Sequence, residues 1–201
     1  KHSLVELAVK NKRLTEKKIS LVTNGVDLQY FRPSAAERWT DTIVFSGKMS
    51  YHANYSMALF LINEIMPLVW AKNPNVKLYI VGKSPSENLI QLAAKEPRIV
   101  LTGWVSDIRP YLQKASVAVV PLLYGAGVQF KVLEAMACGT PVVASSLAAI
   151  PLKAHPNDEI IIADGPQATA ESLLHVLLDK KFQKSLGQGG RNYVECHHNW
   201  D

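Results

Sequence analysis

The chain has 201 residues, 48% of them hydrophobic and 19% charged, the balance of one globular α/β domain with a sizeable core and at most small appendages. No apolar stretch approaches the roughly eighteen residues that cross a bilayer, Lys1–Lys18 lacks the apolar centre of a secretory signal, and two cysteines, Cys138 and Cys196, are too few for a disulfide framework. A net charge of +5 favours anionic partners. Nucleic acid is excluded by the lack of a basic stripe interleaved with aromatics; the one basic run, Lys10–Lys18, reads as a solvated helix end or a contact with anionic lipid head groups.

In chain order, a helix is expected around Ser3–Asn11, and the apolar run Ile19–Val22 ends at the turn signal Asn24-Gly25. The stretch to Pro33 reads as a linker, so residues 1–33 are expected as an entry segment and residues 34–201 as a domain. From Thr42 apolar β-branched runs alternate with amphipathic ones: strand Ile43–Ser46, helix Asn54–Ala71, strand Lys77–Val81, helix Ser86–Lys95, strand Ile99–Thr102 and helix Ile108–Lys114. Strand Val117–Pro121, helix Lys131–Cys138, strands Val142–Ala144 and Glu159–Ala163, and helix Ala168–Leu178 follow. Asp164-Gly165-Pro166 is a start signal for that helix, and Ala170, Leu173, Leu174, Leu177 and Leu178 form its core stripe. Phe182–Asp201 predicts a last helix ending near Tyr193–Asn199, with Trp200 as a packing anchor. The alternation predicts a Rossmann-like, doubly wound parallel sheet of about six strands with helices on both faces.

In such a sheet ligands sit outside the carboxyl ends of the strands. The segments leaving those ends are Gly47-Lys48-Met49, Gly82-Lys83-Ser84, Gly103-Trp104-Val105, Tyr124–Gly127 and Ser145-Ser146; three begin with glycine, which permits close backbone approach. The most informative stretch is Gly125–Ser145, a glycine-rich turn, a short helix stopped by Gly139 and Pro141, and a buried strand. The first turn of that helix offers unpaired N–H groups to an anion. Three residues apart on one face, Lys131 suits a phosphate and Glu134 suits paired ribose hydroxyls; the competing reading is a surface ion pair. A dinucleotide fingerprint is rejected, because Phe130 replaces its third glycine and Ser145-Ser146 stand where an acidic ribose ligand belongs. Cys196-His197-His198 does not form a metal set, since adjacent ligands on a helix diverge. His52 reads as a solvated loop residue or a contact to sugar or partner domain, and Trp39 and Trp70 as packing residues.

Taken in order, Thr23-Asn24-Gly25-Val26-Asp27 with Phe31-Arg32-Pro33, Phe45-Ser46-Gly47-Lys48, Tyr79-Ile80-Val81-Gly82, Leu101-Thr102-Gly103-Trp104-Val105, Val119-Val120-Pro121, Leu133–Ala144 and Asn199-Trp200 resemble the C-terminal, donor-binding domain of a GT-B glycosyltransferase of family 4 (glycosyl transferases group 1). The resemblance covers about residues 19–200, and Ser50–Pro67 is similar to a bacterial branch that builds surface polysaccharides. It implies retaining transfer from a nucleotide diphosphate sugar, without metal or other cofactor, to a glycan or lipid-linked acceptor. The low cysteine count fits a reducing compartment, so a cytoplasmic location is expected, with peripheral contact at the inner membrane face as a further expectation. An N-terminal acceptor domain carrying part of the catalytic machinery would lie outside this chain, so no catalytic residue is assigned and the domain alone is not expected to turn over.

By the same resemblance Glu134 binds the ribose, Gly47 and Lys48 face the diphosphate, and Gly103 and Val105 lie by the base. Gly125, Gly127, Val128, Gln129, Phe130, Val132 and Leu133 face the distal phosphate and sugar. Two positions depart from the pattern: Ala126 stands where a sugar-contacting glutamate is usual, and Asn54 where a second basic residue is usual. Lys131 is the expected replacement for that lost cation. Ala126 also motivates an alternative, a nucleotide-binding module that has lost transfer activity. Another GT-B enzyme such as a sugar epimerase is disfavoured by the order of the turns.

Overall fold

A computed structural model describes residues 24–125 and 127–200. The expected helix Ser3–Asn11, the apolar run Ile19–Val22, the basic run Lys10–Lys18 and Ala126 lie outside the described residues.

Short runs of β-branched and other apolar residues form the strands of one sheet: β1 (Thr42–Ser46), β2 (Lys77–Val81), β3 (Ile99–Gly103), β4 (Val117–Val120), β5 (Val142–Ala144) and β6 (Ile161–Ile162). Every residue of β1, β4 and β5 is buried, as expected of central strands covered on both faces. All pairings are parallel and the order is β3-β2-β1-β4-β5-β6. Ile43 lies opposite Val117 and Val44 opposite Ala118, so the chain that ended at the β3 edge re-enters beside β1. The connections from β1 and β4 therefore leave in opposite directions, which opens a crevice above their carboxyl ends.

The covering helices are α1 (His52–Phe60), α2 (Met66–Lys72), α3 (Glu87–Lys95), α4 (Arg109–Lys114), α5 (Phe130–Ala137), α6 (Ser146–Ala149), α7 (Gly165–Leu178) and α8 (Lys180–His197). One face carries α1, α2 and α7, and the other carries α4, α5 and α8. Among the described residues no helix is long and apolar enough to cross a membrane.

Several boundaries differ from expectation. The helix expected over Asn54–Ala71 is interrupted by a π turn at Leu61–Ile65. Pro67 has no N–H to donate to the turn before it, and the ladder widens to accommodate the gap. The strand expected over Glu159–Ala163 shrinks to Ile161–Ile162, because Glu159 curls back: its carboxylate accepts from the His155 N–H at 2.6 Å and its own N–H donates to the His155 carbonyl at 3.0 Å. A short helix, α6, followed by a 3₁₀ turn at Ile150–Leu152, occupies a stretch for which no element was expected. Trp200 is 69% exposed, so as an anchor it does no more than lay its ring on Gly25, where any added Cβ would overlap it. Trp39 stacks on Tyr79 with centroids 5.1 Å apart, and the Trp70 indole donates to the Val76 carbonyl at 2.8 Å, both in packing roles.

Two arginines join the sheet's lower edge to the helices. Arg38 donates to the carbonyls of Gln113 (2.8 Å), Ala115 (2.9 Å) and Gly139 (2.6 Å) and to the Thr140 hydroxyl (3.1 Å). Arg191 donates to the carbonyls of Ala137 (2.6 Å) and Phe31 (2.9 Å) and pairs with Glu195 at 2.6 Å. Both guanidiniums thus sit at the carboxyl end of α5, where the helix dipole favours positive charge and the last carbonyls need partners.

Candidate functional site

The crevice is built from two chain exits. After β1 the chain turns through Gly47-Lys48-Met49 into α1; after β4 it runs from Pro121 to Gln129 and enters α5. The β4 exit is held by the buried Ser145 hydroxyl, which donates to the Leu122 carbonyl at 2.9 Å. Farther out, the Tyr124 hydroxyl bonds both the His52 ring Nδ1 and the Ser56 hydroxyl, the latter at 2.9 Å, so His52 is exposed as expected but stands on the first turn of α1, bonded to the β4 exit, rather than in a loop. α5 begins without a side-chain cap at Gln129; the Val132 N–H donates to the Gln129 carbonyl at 2.9 Å, which leaves the N–H groups of Phe130 and Lys131 at the crevice.

Inside the crevice two polar side chains, Asn54 and Lys131, meet beside the Lys48 carbonyl. Asn54, buried on α1, donates from Nδ2 to the Lys48 carbonyl at 3.0 Å and accepts from the Lys131 ammonium at 2.5 Å. The Lys131 Nζ also lies 4.6 Å from the centre of the Phe45 ring, a cation–π contact. Burial pushes Lys131 down to about 8, partly opposed by the Glu134 charge. Burial raises Glu134 above the ordinary carboxylate range, with Lys131 pulling it back. No ion pair among the described residues joins Lys131 to Glu134, and no hydrogen bond among them reaches the Glu134 carboxylate. The surface ion-pair reading of these two residues is therefore replaced by two half-buried charges on one helix face, each with unused hydrogen-bonding capacity.

The fold brings Gly47, Lys48, Gly125, Gly127, Val128, Gln129, Phe130, Lys131 and Glu134 to the two sides of the switch point. Val132 and Leu133 have fully buried side chains, so only their backbone can face a ligand. Gly103 and Val105 leave from β3, two strands away from β1, roughly 10 Å along the sheet edge. Among the strand-end glycines, Gly82 has a packing rather than a ligand-facing reason: a Cβ there would lie 1.8 Å from the Gly47 carbonyl oxygen. Gly103, at φ +65°, has open space around it and is needed for its left-handed backbone.

Other features prove to be internal. His198 is buried, with Nδ1 bonded to the Asn24 carbonyl at 2.6 Å and Nε2 to the Tyr193 hydroxyl at 3.0 Å; no cluster of three or more metal-ligating side chains occurs among the described residues. A cavity of about 230 Å³ lies at the far end of α5 between Pro33, Arg38, Gly139 and α8, and its arginines are committed to carbonyls. Asn54, Tyr124, His52 and Ser56 were not expected as a crevice network. Their partners are up to 77 residues away, and the signal available in sequence was only that polar residues recur on the first turns of α1.

The family model for "Glycosyl transferases group 1" matches residues 40–179 of this chain. A D-inositol 3-phosphate glycosyltransferase from Salinispora arenicola is 26% identical over 92% of this chain and 47% of its own length. The solved C-terminal domain of the group 1 family protein LpcC from Francisella tularensis superposes with a TM-score of 0.69 at 18% identity, covering 88% of this chain and all of that one. HepE from Anabaena, solved in complex with UDP-glucose, superposes with a TM-score of 0.74 at 15% identity over 96% of this chain and 57% of its own. The sheet and helices are those of the C-terminal half of a GT-B fold, and the chain spans about half the length of the curated relatives it matches.

Proposed function

The chain belongs to the glycosyl transferases of group 1, and from that premise we propose that it is the donor-binding domain of a retaining, metal-independent glycosyltransferase. Its donor is a nucleotide diphosphate sugar, and the acceptor is a glycan or lipid-linked glycan of a polysaccharide or glycolipid pathway, met at the inner membrane face. Acceptor binding and part of the catalysis belong to a second domain. The UDP-glucose held by the Anabaena neighbour and the glycosyl transfer named for the Salinispora relative support this reading.

The observation that carries it is the pair of half-buried, mutually unpaired charges on α5 at the switch point. The Glu134 carboxylate, with no hydrogen-bond partner among the described residues, accepts from two ribose hydroxyls. Lys131 and Lys48 take the diphosphate, together with the first-turn N–H groups of α5 behind Gly127–Phe130. The backbone of Val132 and Leu133 completes that wall, and the base lies toward the β3 exit at Gly103–Val105, two strands along the sheet edge from β1. Two lysines and a helix N-terminus supply positive charge where a leaving diphosphate develops negative charge, a role met in other sites by a divalent cation.

Thermal unfolding with a panel of UDP, GDP and ADP sugars tests the reading. A bound donor at a hundred times its dissociation constant adds about 2.7 kcal/mol to stability, and the account expects one base to give a clear upward shift. No shift with any of them would contradict it. Ala126 favours a second reading, a module that binds nucleotide without transfer. Donor binding with no sugar transfer by the full polypeptide, across a panel of acceptors, would select it.

A further inference from the structure

A basic residue at the position of Asn54 would place a cation on α1, and its absence reads in the sequence as a loss. The structure gives Asn54 other work. The residue is 8% exposed, and both ends of its amide are used: Nδ2 donates to the Lys48 carbonyl at 3.0 Å and Oδ1 accepts from Lys131 Nζ at 2.5 Å. Gly47 lies so close that a Cβ there would come within 2.6 Å of Nδ2. One buried amide therefore ties the exit of β1 to the start of α5, the two walls of the crevice.

We propose that Asn54 is a positioning residue: it holds the Lys131 ammonium at the switch point without neutralising it, so that the positive charge is kept for the diphosphate of the ligand. This rests on the donor-site reading above. An ammonium has three N–H donors. A carboxylate at position 54 would hold it equally well but would cancel its charge, and an incoming phosphate would meet a neutral pair. A neutral carbonyl oxygen fixes the geometry and leaves the net charge intact. The groups facing Lys131 agree: Asn54 from α1 and the Phe45 ring from β1 are neutral, and Glu134 from its own helix acts on it only through space. A lysine lowered to about 8 by burial is what a cation without a bonded counter-ion shows.

The test is calorimetric titration of the full polypeptide with inorganic pyrophosphate and with UDP, GDP and ADP. Asn54→Asp, equal in size, is expected to weaken pyrophosphate and nucleoside diphosphate binding roughly tenfold or more, and Asn54→Ala roughly three- to tenfold. In a Lys131→Met background Asn54→Ala should change little, since there is no ammonium left to place. In the free protein, the Lys131 side-chain NMR resonance should titrate near 8 and move upward in Asn54→Asp, which reads the charge without any ligand. Should Asn54→Asp fail to fold, Asn54→Ser and this resonance take its place. Wild-type affinity in Asn54→Asp, or an equal loss from Asn54→Ala with and without Lys131, would overturn the proposal and leave the donor site standing. Asn54-dependent pyrophosphate binding combined with no binding of any nucleoside diphosphate would instead overturn the donor reading alone. A protein that binds neither overturns both.

Discussion

The two ends of α5 hold cations in opposite ways. At the carboxyl end, Arg38 and Arg191 are surrounded by backbone carbonyls from residues 28–31, α4 and the end of α5, and both terminal nitrogens of each guanidinium are used. At the amino end, Lys131 has one neutral acceptor, an aromatic ring beneath it and no ion pair among the described residues. Both sets of cations are withdrawn from water, and burial lowers Arg38 as it lowers Lys131. What separates them is satisfaction: a cation saturated by the backbone joins elements together, whereas one left with spare donors beside a glycine-rich turn is placed for an anion.

The largest effect should come from the saturated end. Arg38→Met leaves several carbonyls without donors, and stability should fall by about 3 kcal/mol in urea unfolding. A loss under about 1 kcal/mol would show that water replaces the arginine and would erase the contrast. Next, Lys131→Met should weaken nucleoside diphosphate binding roughly tenfold or more in calorimetry while leaving stability unchanged or raised, the reverse of the arginine result. The smallest effect concerns pH. Because the folded-state value of Lys131, about 8, lies below its ordinary 10.5, the native state carries a desolvated charge below about 8 and sheds it before the unfolded chain does. Stability from this group therefore rises between about 8 and 10.5, while nucleoside diphosphate affinity falls over the same range as the ammonium is lost. Unfolding midpoints and calorimetry at pH 7, 8.5 and 10 should show both trends in the wild type and neither in Lys131→Met.

The sheet was legible because its strands are runs of Val, Ile and Leu between helical patterns, and burial on both faces leaves few other places for such runs. The helix that carries Glu134 and its stop before Gly139 were legible because a short motif carries its own local geometry. Arg38 was not, since its acceptors are backbone carbonyls about 75 to 100 residues away, which leave no mark in composition or spacing. As a residue type Asn54 reads as a missing charge, and its bond to Lys131, 77 residues away, is made only by the approach of α5 to α1, which leaves no mark in the sequence. Pro67 was visible, yet the π turn at Leu61–Ile65, against which α7 packs, carries no signal of its own in the apolar spacing.

The account rests most directly on Glu134 meeting a ribose. The deciding measurement is the affinity of wild type and Glu134→Ala for a nucleoside diphosphate and for its 2′,3′-dideoxy analogue. The account predicts that removing the hydroxyls weakens wild-type binding roughly tenfold and leaves Glu134→Ala almost unaffected. An equal loss in both proteins would mean that the hydroxyls are met elsewhere, and would contradict the assignment of this crevice as the donor site.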